Sequence, residues 1–145
     1  FNIGSVEYDV EYSEGELDGP FKEYFESGER YSESVFKAGK QEGEILNYYK
    51  NGNLRSKLSI TAGDYEGPYV TYFSNGQIKE KGAYTKDLVN GNVVEYYSDG
   101  TLKSEGWFEE GKRICIHKQY EKNGVLSLEL NYKKGEVQIF YWFKY

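Results

Sequence analysis

Residues 39–58 read Gly39-Lys40-Gln41-Glu42-Gly43-Glu44-Ile45-Leu46-Asn47-Tyr48-Tyr49-Lys50-Asn51-Gly52-Asn53-Leu54-Arg55-Ser56-Lys57-Leu58. An Asn-Gly pair stands between two runs that alternate apolar and polar residues, the strongest short-range sign of a β-hairpin. The cassette returns every 24 residues. Gly28, Gly52, Gly76, Gly100 and Gly124 keep that spacing, as do Tyr24, Tyr48, Tyr72, Tyr96 and Tyr120. Gly15, Gly39, Gly63, Gly111 and Gly135 form a third series broken only by Asp87, and Gly19, Gly43, Gly67 and Gly91 a fourth. A strict period without insertions marks a repeat array. The expected fold is all-β: an elongated single-layer antiparallel meander of roughly a dozen short strands, without a helix longer than one turn. One domain, 1–145, is expected to hold a half-repeat (1–11), repeats 12–35, 36–59, 60–83, 84–107 and 108–131, and a terminal half-repeat (132–145).

The pairs Ser27-Gly28, Asn51-Gly52, Asn75-Gly76, Asp99-Gly100 and Asn123-Gly124 fit two-residue type I′ turns, which need positive φ at both central residues. A longer loop is expected at Ala38-Gly39 and its equivalents. With 51/52 as the turn, 49 faces 54, 48 faces 55 and 45 faces 58, which assigns the two faces of the sheet. One collects Phe25, Tyr49, Phe73 and Tyr97 with Leu54, Ile78 and Leu102, and continues through Ile45, Leu58, Tyr69 and Val93. The other carries the tyrosine ladder, Tyr24, Tyr48, Tyr72, Tyr96 and Tyr120, opposite Tyr31, Arg55, Lys79, Lys103 and Ser127. A ring there covers the stem of its cross-strand cation, a contact worth roughly 0.5 to 1 kcal/mol.

The recurring Gly-Lys-x-x-Gly, Tyr-Tyr or Tyr-Phe, and Asn-Gly-x-Leu-Lys elements resemble the bacterial variant of the MORN repeat over essentially the whole chain. Gly39 to Gly43 with Tyr48 to Gly52, and Gly91 with Tyr96 to Lys103, are the clearest copies. The fifth departs, with Cys115 in place of the glycine and Glu121 in place of the second aromatic. The resemblance implies a non-enzymatic scaffold; bacterial proteins of this kind are often labelled antitoxin-like.

Composition narrows the partners. Among 145 residues, 24 are acidic and 18 basic, a net charge of −6, which argues against nucleic acid and anionic membranes as partners. No stretch approaches the ~20 apolar residues of a membrane span. The chain starts at Phe1 without a charged-then-apolar leader, leaving both a cytoplasmic location and export after processing open. One cysteine allows no internal disulfide. Cys115 and His117 are two apart, on one face of a strand, and both stand where a degenerate repeat would vary. They lack the third group that nucleophilic catalysis requires and fall short of four zinc ligands. No catalytic residue, metal or cofactor is expected.

A single layer has nothing of its own to cover an apolar face. Tyr49, Leu54, Leu58, Phe73, Ile78 and Tyr97 are therefore the expected partner-binding residues, docking a protein segment or a second copy. The alternatives are carbohydrate or cell-wall recognition by the tyrosine rows, against which the two tryptophans sit at non-equivalent positions, and an immunity-like component that binds a partner protein. Residues 1–36 hold ten carboxylates against two cations, so the N-terminal end is either a docking site for a basic partner or a solvated edge guarded against pairing. At the other end the strand Val137 to Tyr145 places Phe140, Tyr141, Trp142 and Phe143 where the repeat is broken. It is expected to form an edge contact with another chain or to cap the apolar face.

Overall fold

The computed structural model describes residues 7–138. They form one open antiparallel sheet of thirteen strands. Its strands are β1 (Glu7–Ser13), β2 (Glu16–Tyr24), β3 (Arg30–Lys37), β4 (Lys40–Tyr48), β5 (Leu54–Thr61), β6 (Asp64–Tyr72) and β7 (Ile78–Thr85). They continue through β8 (Leu88–Val89), β9 (Gly91–Tyr96), β10 (Leu102–Glu109), β11 (Lys112–Tyr120), β12 (Leu126–Lys133) and β13 (Glu136–Gln138). Each strand pairs with its neighbours in sequence, β8 and β9 both lying against β7. The fold class read from the 24-residue period is the one observed. Phe140, Tyr141, Trp142 and Phe143 lie outside the described residues.

The turns are the reverse of the expected ones. At the Asn-Gly end, Gly52 donates its N–H to Tyr49 O at 2.9 Å and Tyr49 donates to Asn53 O at 2.9 Å. These bonds close a three-residue loop, Lys50-Asn51-Gly52, in which only the glycine has positive φ (82°). This is a type I turn ending in a left-handed residue. The two-residue turn sits at the opposite end of the strands, where Lys37 faces Lys40 and both Ala38 (φ 47°) and Gly39 (φ 72°) are left-handed. Asn51 serves through its side chain instead: Oδ1 accepts the Asn53 N–H at 3.1 Å, and Nδ2 donates to Ser74 O of the next hairpin at 2.9 Å.

The extra loop residue shifts the register. Tyr48 faces Leu54, with Arg55 left over, and in the following repeats Tyr72 faces Ile78 and Tyr96 faces Leu102. Residues directly opposite share a face. Leu54, Ile78 and Leu102 therefore belong to the tyrosine side, and the ladder does not stand against Arg55, Lys79 and Lys103 as expected. A second irregularity recurs in the same strands: β3 advances from Glu33 to Val35 while β4 runs from Leu46 to Glu42. The left-handed Gly43 (φ 86°) lies in this bulge.

Candidate docking face

The two faces of the sheet differ in how much they bury. One, the packed face, carries Ile45, Leu58 and Tyr69 in a transverse row, with Ile60 and Tyr84 beside them. Ile45, Ile60 and Tyr69 fall to 8%, 4% and 4% exposure without any covering layer. Their neighbours make room for them. Gly82 faces Tyr69, and a Cβ there would come within 2.9 Å of the tyrosine ring. The ring stacks on Tyr84 at 4.8 Å and donates to Glu80 at 2.6 Å. Burial, with this bond, drives the Tyr69 phenol far above its usual range. Farther along, His117 lies over Gly106 between Phe108 and Tyr132, centroids 5.2 and 5.1 Å away, and its Nε2–H donates to Trp107 O at 2.8 Å. Burial lowers its pKa.

Glu80 and Glu95 face each other on this side. Lys103 reaches Glu95 at 2.6 Å, and Ser104 also donates to it. The lysine expected over Tyr96 is thus drawn to a carboxylate, and the cation that does sit over Tyr96, 5.6 Å from its centroid, is Lys81. Arg30 lies 5.8 Å from the Tyr48 centroid. Tyr48 OH donates to Glu33 at 3.1 Å and Tyr120 OH to Glu105 at 2.9 Å. Burial first, then the Glu33 contact, raises the Tyr48 pKa; for Tyr120 the Glu105 hydrogen bond is the leading cause.

The expected partner-binding set does not share one face. Leu58 lies on the packed face while Leu54 and Ile78 join the tyrosines. Tyr49 and Tyr97 are half-buried at hairpin ends, their hydroxyls donating to Tyr72 O and Tyr120 O of the following hairpin at 2.7 and 2.9 Å. Those two rings tie repeat to repeat. Phe73 is half-buried at the equivalent position.

The tyrosine face stays open. Its central repeats present three apolar triplets, Leu46-Tyr48-Leu54, Val70-Tyr72-Ile78 and Val94-Tyr96-Leu102. A row of facing residues crosses it: Lys22 and Glu33 at one end, Leu46, Lys57, Val70, Lys81 and Val94 in the middle, and Glu105, Lys118 and Glu129 at the other. Two hollows open beside this row at equivalent repeat positions, 72 residues apart. One, about 210 Å³, is lined by Pro20, Lys22, Val35, Glu44 and Leu46 among others. The second, about 350 Å³, is lined by Asn92, Glu105, Trp107, Cys115, Ile116 and Lys118. Val35, Trp107 and Ile116 are exposed, Trp107 by 52%. Trp107 does not recur along the repeat, which counts against a carbohydrate-binding row but leaves its own position unassigned. Its alternation with the inward-facing Phe108 was the available signal that it points outward.

Comparison with known protein families gives a match to the MORN repeat variant over 17–38, 41–60, 65–86, 89–109 and 116–134. The chain belongs to the MORN repeat variant family. No curated protein matches the chain. Among solved structures, a protein of unknown function from Bacteroides fragilis is similar over 90% of this chain and 94% of its own, at 7% identity and a TM-score of 0.24. MORN arrays of this family are repeat-built binding modules, and the sheet here supplies an open face of the kind such a module needs. Among the described residues, no group of three His, Cys, Asp or Glu could hold a metal ion, and no helix is long and apolar enough to cross a membrane. The ring of His117 is engaged by Trp107 O, Phe108 and Tyr132, a packing role in the row that Ile45 and Tyr69 occupy in earlier repeats.

Proposed function

We propose that the protein is a non-enzymatic scaffold that binds another protein chain on the tyrosine face of its sheet. One observation carries this reading: the three apolar triplets of the central repeats lie side by side on a face without a covering layer, while the opposite face buries its own large side chains. An apolar surface several repeats long, crossed by Lys57 and Lys81 and rimmed by Lys22, Glu33, Glu105 and Lys118, has the make-up of a protein contact. The ladder then has two roles, packing along the sheet and contact across it.

Ile78 is 38% exposed, so Ile78→Asp places a charge at the centre of the contact without opening a buried site. Native partners recovered with the wild-type chain should be lost with this variant, while its circular dichroism stays that of the parent. Retention of the same partners at wild-type affinity would remove the tyrosine face from consideration.

A further inference from the structure

We propose that the chain docked on the tyrosine face is a second copy of this protein, laid face to face and antiparallel, so that each N-terminal end covers the partner's C-terminal end. The proposal rests on the scaffold reading and names its occupant. Its first support is the order of charges in the transverse row. A two-fold axis parallel to the strands, between β6 and β7, maps that row onto itself in reverse. Lys22 then meets Glu129, Glu33, which also holds Arg30 and the Tyr48 hydroxyl, meets Lys118, Lys57 and Lys81 meet Val94 and Val70, and Glu105 meets Leu46. No two like charges coincide. Sliding one copy by a single strand would set Lys22 against Lys118 and, since Asp9 precedes Lys22 in the row, Asp9 against Glu129. Like-charge contacts of that kind disfavour the wrong register.

The charge of the two ends points the same way. Residues 1–36 hold ten carboxylates and two cations, whereas 112–138 hold six cations and three carboxylates. The antiparallel arrangement sets the acidic end over the basic one; a parallel arrangement would set acid on acid. The tyrosine row is equally self-complementary: under the same axis Tyr72 meets Ile78, Tyr48 meets Leu102, and Arg30 meets Tyr120.

Trp107 supplies an anchor. It stands on β10, which the axis places over β4 of the second copy, beside the smaller hollow that Pro20, Val35 and Leu46 wall together with Lys22, Glu33 and Glu44. A large exposed aromatic set against apolar walls with a charged rim is a pairing that dominates protein contacts. Ten strands ~4.8 Å apart, carrying three side-chain rows ~7 Å apart, span roughly 900 Å², close to the ~800 Å² per partner of a standard interface. Two twisted sheets stack in this way to make a sandwich.

The test is light scattering on the purified chain with Trp107→Ser, Lys118→Glu and the double variant Glu33→Lys/Lys118→Glu, each checked by circular dichroism. A dimer is expected for the wild type. Trp107→Ser should weaken it at least ~10-fold, Lys118→Glu should weaken it, and the double variant should recover it, because the swapped charges meet again across the interface. As a second readout in a Cys115→Ser background, a mixture of Ser59→Cys and Asn92→Cys chains should be joined into a covalent dimer by a short bismaleimide cross-linker, which spans the ~10 Å between stacked sheets, since these positions oppose each other only between antiparallel copies. A dimer indifferent to Trp107→Ser and Lys118→Glu, or one that the linker does not join, overturns the proposal. So does a wild-type chain that stays monomeric. If that monomer still captures a different protein in an Ile78-dependent way, the scaffold reading survives and only the second copy is rejected; if it captures none, both readings fall.

Discussion

Cys115 has φ 59° where Gly19, Gly43, Gly67 and Gly91 have 124°, 86°, 101° and 89°. An L-residue with a side chain incurs about 1–2 kcal/mol in that conformation, partly offset by the ~0.5–1 kcal/mol of backbone entropy that glycine loses on folding. Cys115→Gly should therefore stabilise the chain by about 0.5–1 kcal/mol in urea unfolding; an unchanged or lower midpoint would show the bulge tolerates a side chain. Gly82 is constrained differently. Its φ is not positive, but an added Cβ would meet the buried Tyr69 ring, so Gly82→Ala should lose about 1–3 kcal/mol through overpacking. At His117 the packing becomes a pH dependence. Burial holds its folded pKa below the ordinary 6.5, so the unfolded chain binds the proton more readily. Stability from the neutral ring is complete above the unfolded value and is lost as pH falls through the folded one. The groups packed on the ring are Phe108, Tyr132, Gly106 and Leu130 across the strand, with the Arg113 guanidinium over both aromatic rings, so a protonated histidine gains no counter-ion there. Urea titrations at about pH 7.5 and 5.5, spanning that range, should show a loss in the wild type that His117→Phe reduces; equal losses would assign the slope to other groups.

The hairpin is where sequence reading succeeded in kind and failed in detail. Glycine spacing fixed how many strands form, because every turn in the array needs a left-handed residue. It did not say which turn was two residues long, since Asn-Gly suits both a type I′ turn and the end of a three-residue loop. Choosing the first displaced the register by one at the hairpin mouth and put Leu54 and Ile78 on the wrong side. Farther from the turn the error vanished: Ile45 faces Leu58 as expected, because the surplus residue, Arg55, is absorbed before Ser56. The structure makes opposite predictions for the two turn types. Ala38, left-handed in a two-residue turn, should gain about 0.5–1 kcal/mol on replacement by Asn, which tolerates that conformation better. Asn51→Ala should lose about 1 kcal/mol, since both the bond to Asn53 N–H and the bond to Ser74 O disappear. Thermal melts of the two variants that moved in the same direction would contradict this assignment.

At the scale of the whole molecule, stability has no single centre, because a meander of this kind touches only its neighbours. Links between hairpins are correspondingly regular: Gly39, Gly63, Gly111 and Gly135 each donate a backbone N–H to a carbonyl 22 residues earlier, Leu17, Gln41, Val89 and Arg113, and Asp87 does the same to Tyr65. What varies along the array is burial. Among the described residues the buried apolar side chains, Ile45, Ile60 and Tyr69, all lie in β4 to β6, whereas in β12 Leu126 and Leu128 are 46% and 41% exposed. The period revealed that the units repeat but concealed this gradient, which depends on whether a position such as 82 or 106 is small enough for its neighbour's ring to lie flat. Opening energies in a sheet built this way follow local burial. Amide hydrogen exchange, measured at a concentration at which the chain is monomeric by light scattering, should thus be slowest in β4 to β7 and faster in β11 and β12, with the difference persisting at low denaturant. Uniform protection from β2 to β12 would mean that these eleven strands open as one cooperative unit, and that the links between hairpins outweigh the uneven burial.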